Sequence, residues 1–481
     1  MRHSDELRIR LVERGFPNMM QGMAKIKKYS LIGIGKLARD VGANCFLGAY
    51  RGVYALIVFM LCCFSVNSQE DNASQAAKHL GVPSCSQSTC HGSNITFADS
   101  NILRNEFRVW NENDPHARAY KTLLSADSQR IAKNLGIGSA ESSDLCLGCH
   151  ADNVPQEQRG DEFAIADGVS CEVCHGGGED YLSIHTSGNH QQSLSKGLYA
   201  TEDPLKRAEL CVSCHVGNDS DRKITHEIMG AGHPRLSFEL NTFSSIQPAH
   251  YRVDDDYVER KGNITELQIW AVGQLVAAEQ FLANVKSFPK SGLFPELVHM
   301  DCLGCHQEMS NVTWTANPLT KLPAGALRYN DAYLMTSYQI AKAVVPEQAS
   351  PLLSQIKGLL DVESVKVGDT QKINALQKRI LSIRNALIET PLSTDQGLVI
   401  LSALVDVGLA SSHRDYASAE QSAMAINSVL KVLDAEQDLT RSRKDIIEGV
   451  DTLFDSLNDE DNYRPARFVR GLKQVRQVLK R

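Results

Sequence analysis

A chain of 481 residues, 42% hydrophobic and 22% charged, has ordinary globular composition and enough length for two or three domains. Its formal net charge of −7 at pH 7 argues against nucleic acid as a partner. The unusual number is 13 cysteines, and their placement is regular.

In chain order, the first feature is Val53 to Phe64 (VYALIVFMLCCF), an apolar run too short to span a membrane comfortably. Arg51 precedes it, and Val66-Asn67-Ser68 supplies the small residues a signal peptidase needs. Residues 1–68 therefore read as an export segment. Its long head suggests a start at Met19, Met20 or Met23, and an uncleaved N-terminal anchor is the alternative. Leu61 is too bulky before Cys62 for a lipid-attachment site. Residues 1–68 hold 10 of the 50 basic and 4 of the 57 acidic residues, so their removal moves the formal charge from −7 to −13. A surface of that sign would steer a basic partner toward it.

Residues 69–315 are rich in glycine and short polar loops. They hold five cysteine pairs, each followed at once by histidine: Cys85/Cys90/His91, Cys146/Cys149/His150, Cys171/Cys174/His175, Cys211/Cys214/His215 and Cys302/Cys305/His306. One long helix is predicted inside this region, opening at Asn263-Ile264-Thr265-Glu266, passing Trp270, Leu275 and Leu282, and stopping at Phe288-Pro289. Residues 316–481 lack cysteine and read as helices. Ile373, Leu376, Ile380, Ile383 and Leu387 step by three and four, a packing seam that Thr390-Pro391 ends. Further helices are predicted over 395–411, 416–436, 442–457 and 464–480. The expected fold is mainly α: a loop-rich cytochrome domain packed around haem, then a helical C-terminal domain.

A c-type haem needs two thiols for its vinyl groups and a histidine beside the second thiol to reach the iron. The four Cys-x-x-Cys-His motifs meet this, and Cys85–His91 does so with a longer spacing. A zinc site or redox dithiol needs no histidine right after its second cysteine; here one follows five times. Five covalent haems are expected, with His91, His150, His175, His215 and His306 as proximal ligands. Nine other histidines follow the export segment: His79, His116, His185, His190, His226, His233, His250, His299 and His413. Five of these could serve as distal ligands; His413 reads as a surface residue.

The order of motifs resembles the cytochrome c-554 family of four-haem electron carriers. The resemblance rests on the first motif, on Trp110 with Asp114 to Leu123 (DPHARAYKTL), on Cys146–His150, on Gly168 to Gly178 (GVSCEVCHGGG) running on to His185, and on Cys211–His215. It covers roughly residues 85–215. It implies that His116 ligates the haem of His175 and His185 that of His91, and that the haem of His150 has an open iron face. Beyond the resemblance lie His226, His233, His250 and the fifth motif, as in a wider group of bacterial multihaem cytochromes. His226 and His233 are candidates for the fourth and second haems, and His250 or His299 for the fifth. Five haems followed by long helices is also similar in outline to pentahaem nitrite reductase, but that enzyme has lysine in place of one proximal histidine.

The expected function is electron transfer outside the cytoplasm, in the periplasm or its equivalent. The expected partners are redox proteins, basic ones among them, or a membrane quinol oxidoreductase or respiratory complex. Arg118, Lys121 and Arg235 are candidates to meet haem propionates. Two other readings are a reductase of small nitrogen or sulfur species at the haem of His150, and a structural haem subunit of a membrane complex.

Overall fold

Helices carry this fold, because its longest apolar runs repeat at helical spacing. The computed structural model describes residues 76–287, 296–302, 305–306, 321–322, 327–361, 364–365, 368–411, 413, 415–437, 443–460 and 462–479. The export segment read over 1–68, with Cys45, Cys62 and Cys63, lies outside the described residues. Among the described residues there is no strand, only isolated bridges pairing His79 with Arg159 and Met300 with Tyr329. From Ala77 onward they belong to one compact unit.

The motif-bearing region is built from short helices: α1 (Glu106–Asn113), α2 (Ala126–Leu135), α3 (Asp144–His150), α4 (Cys171–His175), α5 (Pro204–His215), α6 (His226–Ala231) and α7 (Leu240–Ile246). Their apolar packing is thin. Around the second motif the buried cluster is only Leu123, Ala132, Ala140, Leu147 and Ala151. So few small side chains would leave such a region marginal by itself.

The predicted long helix is α8 (Glu266–Ser287), buried along most of its length, with Trp270, Leu275 and Leu282 at 0% exposure. Each such side chain contributes about 1.5–3 kcal/mol on burial. The Thr265 hydroxyl, rather than Asn263, accepts from the Gln268 backbone N–H (3.1 Å) at its start. Helix α8 packs on α5 and α7 on one side and on the C-terminal helices on the other. The helix ending in the fourth motif is thereby bound to the largest core of the molecule.

The C-terminal helices are α9 (Ala332–Val344), α10 (Pro346–Leu359), α11 (Thr370–Glu389), α12 (Thr394–Ser411), α13 (Tyr416–Gln437), α14 (Arg443–Asp455) and α15 (Pro465–Leu479). The predicted seam of α11 is buried throughout, Ile373, Leu376, Ile380, Ile383 and Leu387 all at 0% exposure. Its end is pinned by Gln268, whose Nε2 donates to the Leu387 carbonyl (2.7 Å) and whose Oε1 accepts from Leu392 N–H (3.2 Å). Helix α12 is long and apolar enough to cross a membrane, but it packs against α9, α13 and α15 as a core helix.

His413 is not a surface residue. It is 7% exposed, packed edge-on against Phe468 and close over Gly408. Burial pushes its imidazole down to about 4, so it is neutral at physiological pH.

Candidate haem-binding sites

The second, third and fourth motifs lie in the last turns of α3, α4 and α5. Helical spacing puts the two thiols of each motif on one face, with the histidine one residue on. None of the ten motif cysteines is in a disulfide. Burial pushes the Cys85, Cys211 and Cys302 thiols up to about 11 and those of Cys171 and Cys174 to about 12. Such thiols are protonated at neutral pH, whereas the hydrogen bond from the Cys149 thiol holds Cys214 down at about 6.

Cys90 and Cys305 differ from the other motif cysteines. Both are exposed, whereas the other eight are partly buried. The cause is local. Cys90 lies in a turn rather than at a helix end, its N–H donating to the Gln87 carbonyl (2.8 Å), and the Cys305 N–H returns likewise to the Cys302 carbonyl (3.1 Å). A surface turn gives the second thiol no packed helix flank to shelter it. Among the described residues the second thiol is thus less covered in the first and fifth motifs than in the other three.

Each motif histidine faces a second histidine from a distant segment. His91 and His185 have ring centres 6.2 Å apart, His150 and His233 6.5 Å, and His175 and His250 6.2 Å. His215 lies 6.1 Å from His116, and His306 lies 6.1 Å from His226. An imidazole nitrogen sits about 2 Å from a bound first-row metal ion, so two rings on opposite sides of one ion have centres roughly 6 Å apart. The residues present fit a metal ion held between each pair of rings.

The other ring nitrogens support that arrangement. His91 Nδ1 bonds Glu106 Oε2 (3.0 Å) and His116 Nδ1 bonds Asp114 Oδ1 (2.8 Å). His185 Nδ1 reaches the Leu182 carbonyl (2.6 Å), His233 Nδ1 that of Pro234 (2.8 Å), and His150 Nδ1 that of Ala119 (3.3 Å). In all five, Nε2 is the atom left to bind, and a carboxylate or carbonyl at Nδ1 sets the tautomer a metal ligand needs. Burial holds His175 and His215 down at about 4, and also lowers His150, His233 and His250. These rings are neutral, as coordination demands.

Three of the placements, those of His116, His226 and His250, differ from those drawn from the sequence. His116 lies opposite His215, not His175. The Asp114 carboxylate accepts from the His116 backbone N–H (3.0 Å) and from its ring, which fixes the ring's direction. The free side of His175 is faced instead by His250, which α7 and the following Pro248 deliver. His226 lies opposite His306 rather than in the fourth site, so neither His250 nor His299 stands in the fifth. His299 is buried against Phe281. His79 bonds Asp152 (2.8 Å) and His190 bonds Glu202 (2.5 Å), each taken up by a carboxylate.

Glu106 and Asp114 are the supporting groups that sequence reasoning missed. Asp114, two residues before His116 in Asp114-Pro115-His116, was visible as a pattern. Glu106 meets His91 through the fold alone. Of the candidate propionate partners, Arg235 is committed to Glu420 (2.9 Å) and Glu460 (3.4 Å).

The motifs also adjoin one another. The Cys149 and Cys214 thiols are hydrogen-bond neighbours, Cys85 is close enough to Cys171 for their charges to interact, and Cys174 is near enough to feel Cys211 and, more weakly, Cys214. Arg235, two residues beyond His233, is close to Cys302 of the fifth motif.

Residues 84–176 match the family described as cytochrome c554 and c-prime. Over that stretch the chain is similar to cytochrome c554. The match takes in the first three motifs, together with His116, Glu106 and Asp114. A c-type cytochrome of this kind binds haem covalently, transfers electrons and typically works outside the cytoplasm. No curated protein and no solved structure matches the chain.

Proposed function

We propose that this cytochrome c554-like protein carries five covalent haems, one on each motif, and conducts electrons in the periplasm or an equivalent compartment. The observation that carries the reading is the set of five histidine pairs, each joining a motif histidine to a second ring at 6.1–6.5 Å. The proximal ligands are His91, His150, His175, His215 and His306. Their distal partners are His185, His233, His250, His116 and His226 respectively.

Haem supplies one-electron iron chemistry, and ligation by two histidines favours lower potentials than histidine with methionine. The chain holds the rings, fixes their tautomers and buries the middle sites from water. The thiol neighbours support an order of first, third, fourth, second and fifth site, each beside the next. The two terminal members of that series are the ones with exposed second thiols, Cys90 and Cys305, so they offer edges where electrons can enter and leave. The acidic mature chain favours a basic redox protein as partner; a membrane quinol oxidoreductase could supply electrons to the same surface.

The test is a haem count. A pyridine haemochrome assay with intact mass should give five haems per chain. Four would remove the motif of Cys90 or that of Cys305 from the set, and none would refute the reading.

A further inference from the structure

The segment from Thr225 to His233 delivers two histidines to two different motifs. Its single helical turn, α6, starts where the Thr225 hydroxyl accepts from the Ile228 N–H (3.2 Å), and the His226 N–H donates to Glu296 Oε1 (2.7 Å). The turn ends at Gly232, whose φ of +123° is open to glycine but strained for any other residue. There the backbone reverses: Gly232 N–H returns to the Met229 carbonyl (2.9 Å) and His233 N–H to that of Ile228 (3.2 Å). His226 is thereby set on one side, against His306, and His233 on the other, against His150.

The segment is fastened to the second motif's side of the molecule. Asn134 Nδ2, at the end of α2, donates to the Ala231 carbonyl (3.0 Å), and a Cβ at Gly232 would come within 3.3 Å of Ile131. His233 is held by its own Nδ1 bond to Pro234 (2.8 Å). Nothing in this geometry requires His233 to swing in from elsewhere.

We propose that Thr225–His233 is a strap that closes the site at His150 on the side facing His233, and so would deny that site to exogenous ligands. Its other end, through His226, ties the fifth site to the second. With haem bound, His233 would be the residue holding the iron on the side away from His150, so that the site would relay electrons and exclude a small substrate. This rests on the five motifs carrying haem.

The experiment is carbon monoxide binding by the dithionite-reduced holoprotein, with the haem count measured on every sample. The wild type should bind no carbon monoxide. His233→Ala should keep all its haems, turn one high-spin and bind about one carbon monoxide per chain. His233→Met should restore six-coordination and exclude carbon monoxide, with one potential raised; this rescue separates ligation from a merely structural role. Gly232→Ala, which strains the reversal but leaves His233 in place, should open the site in part. Five haems with carbon monoxide uptake by the wild type would overturn the strap alone, as would a His233→Ala protein that stays low-spin. A wild type lacking haem on the second or fifth motif would overturn the reading beneath it.

Discussion

The imidazoles of His91 and His185 lie 6.2 Å apart at an interplanar angle of 24°, with Tyr181 packed edge-on against His185. His185 Nδ1 is held by the Leu182 carbonyl (2.6 Å), so Nε2 faces the first motif. His185→Ala should leave every haem attached, because the thioethers are untouched. It should turn one haem high-spin and raise its potential. Ultraviolet–visible and magnetic circular dichroism spectra check this; a spectrum that stays wholly low-spin would remove His185 from the ligand set.

Asp114 is 1% exposed, and its carboxylate accepts from the His116 ring and backbone and from Gln247 Nε2 (2.9 Å). These hydrogen bonds, led by that of the His116 ring, outweigh burial and hold its pKa down at about 2. A neutral amide donates less electron density through the imidazole than a carboxylate. Asp114→Asn should weaken that bond by about 1 kcal/mol and raise one midpoint potential by roughly 40 mV. Spectropotentiometry with Asp114→Asn beside wild type measures it; an unmoved set of potentials would mean His116 is not an iron ligand.

Glu239 joins α7 to the C-terminal helices. Its buried carboxylate accepts from Asn241 N–H (2.8 Å), Thr242 N–H (2.9 Å), the Thr242 hydroxyl and the Ser428 hydroxyl on α13 (2.8 Å). Glu239→Ala removes a helix cap and leaves buried donors unpaired, which should cost about 3 kcal/mol. Urea unfolding followed by helical circular dichroism would show it, with Glu239→Gln intermediate.

His299 and His413 are buried, and burial lowers both to about 4. As pH falls, the unfolded chain takes up these protons first, near pH 6.5. Their contribution is therefore fully present above about pH 7 and is lost between about 6.5 and 4. Each accounts for up to about 3 kcal/mol over that range. His413→Gln should flatten the decline by roughly half, and an unchanged pH profile of stability would contradict the neutral, buried state of His413.

Much of this molecule was legible in its sequence. The α11 seam reads directly from Ile373 to Leu387, because apolar spacing of three and four has one structural solution. The attachment motifs were legible for a similar reason: the chemistry of two thioethers and an adjacent ligand demands a short fixed pattern. That pattern says nothing of burial, so the exposure of Cys90 and Cys305 was hidden until the turns that carry them were seen. The pairing of His116 with His215 was not legible either. Distal ligands arrive from far along the chain, and their direction depends on local devices such as the Asp114 bond or the Gly232 reversal. His413 misled because a lone histidine among polar neighbours looks exposed until Phe468 and Gly408 close around it.

Electron paramagnetic resonance of the fully oxidised protein tests the paired-histidine account most directly. Near-perpendicular imidazole planes leave the iron orbitals they face almost degenerate and give strongly anisotropic low-spin signals; planes closer to parallel split them and give rhombic ones. The planes cross at 87° in His116/His215, 81° in His150/His233 and 83° in His175/His250, but at 24° in His91/His185 and 38° in His226/His306. The spectrum should be wholly low-spin, with strongly anisotropic and rhombic components in a ratio of three to two. A high-spin signal integrating to one haem per chain would contradict the paired-histidine account.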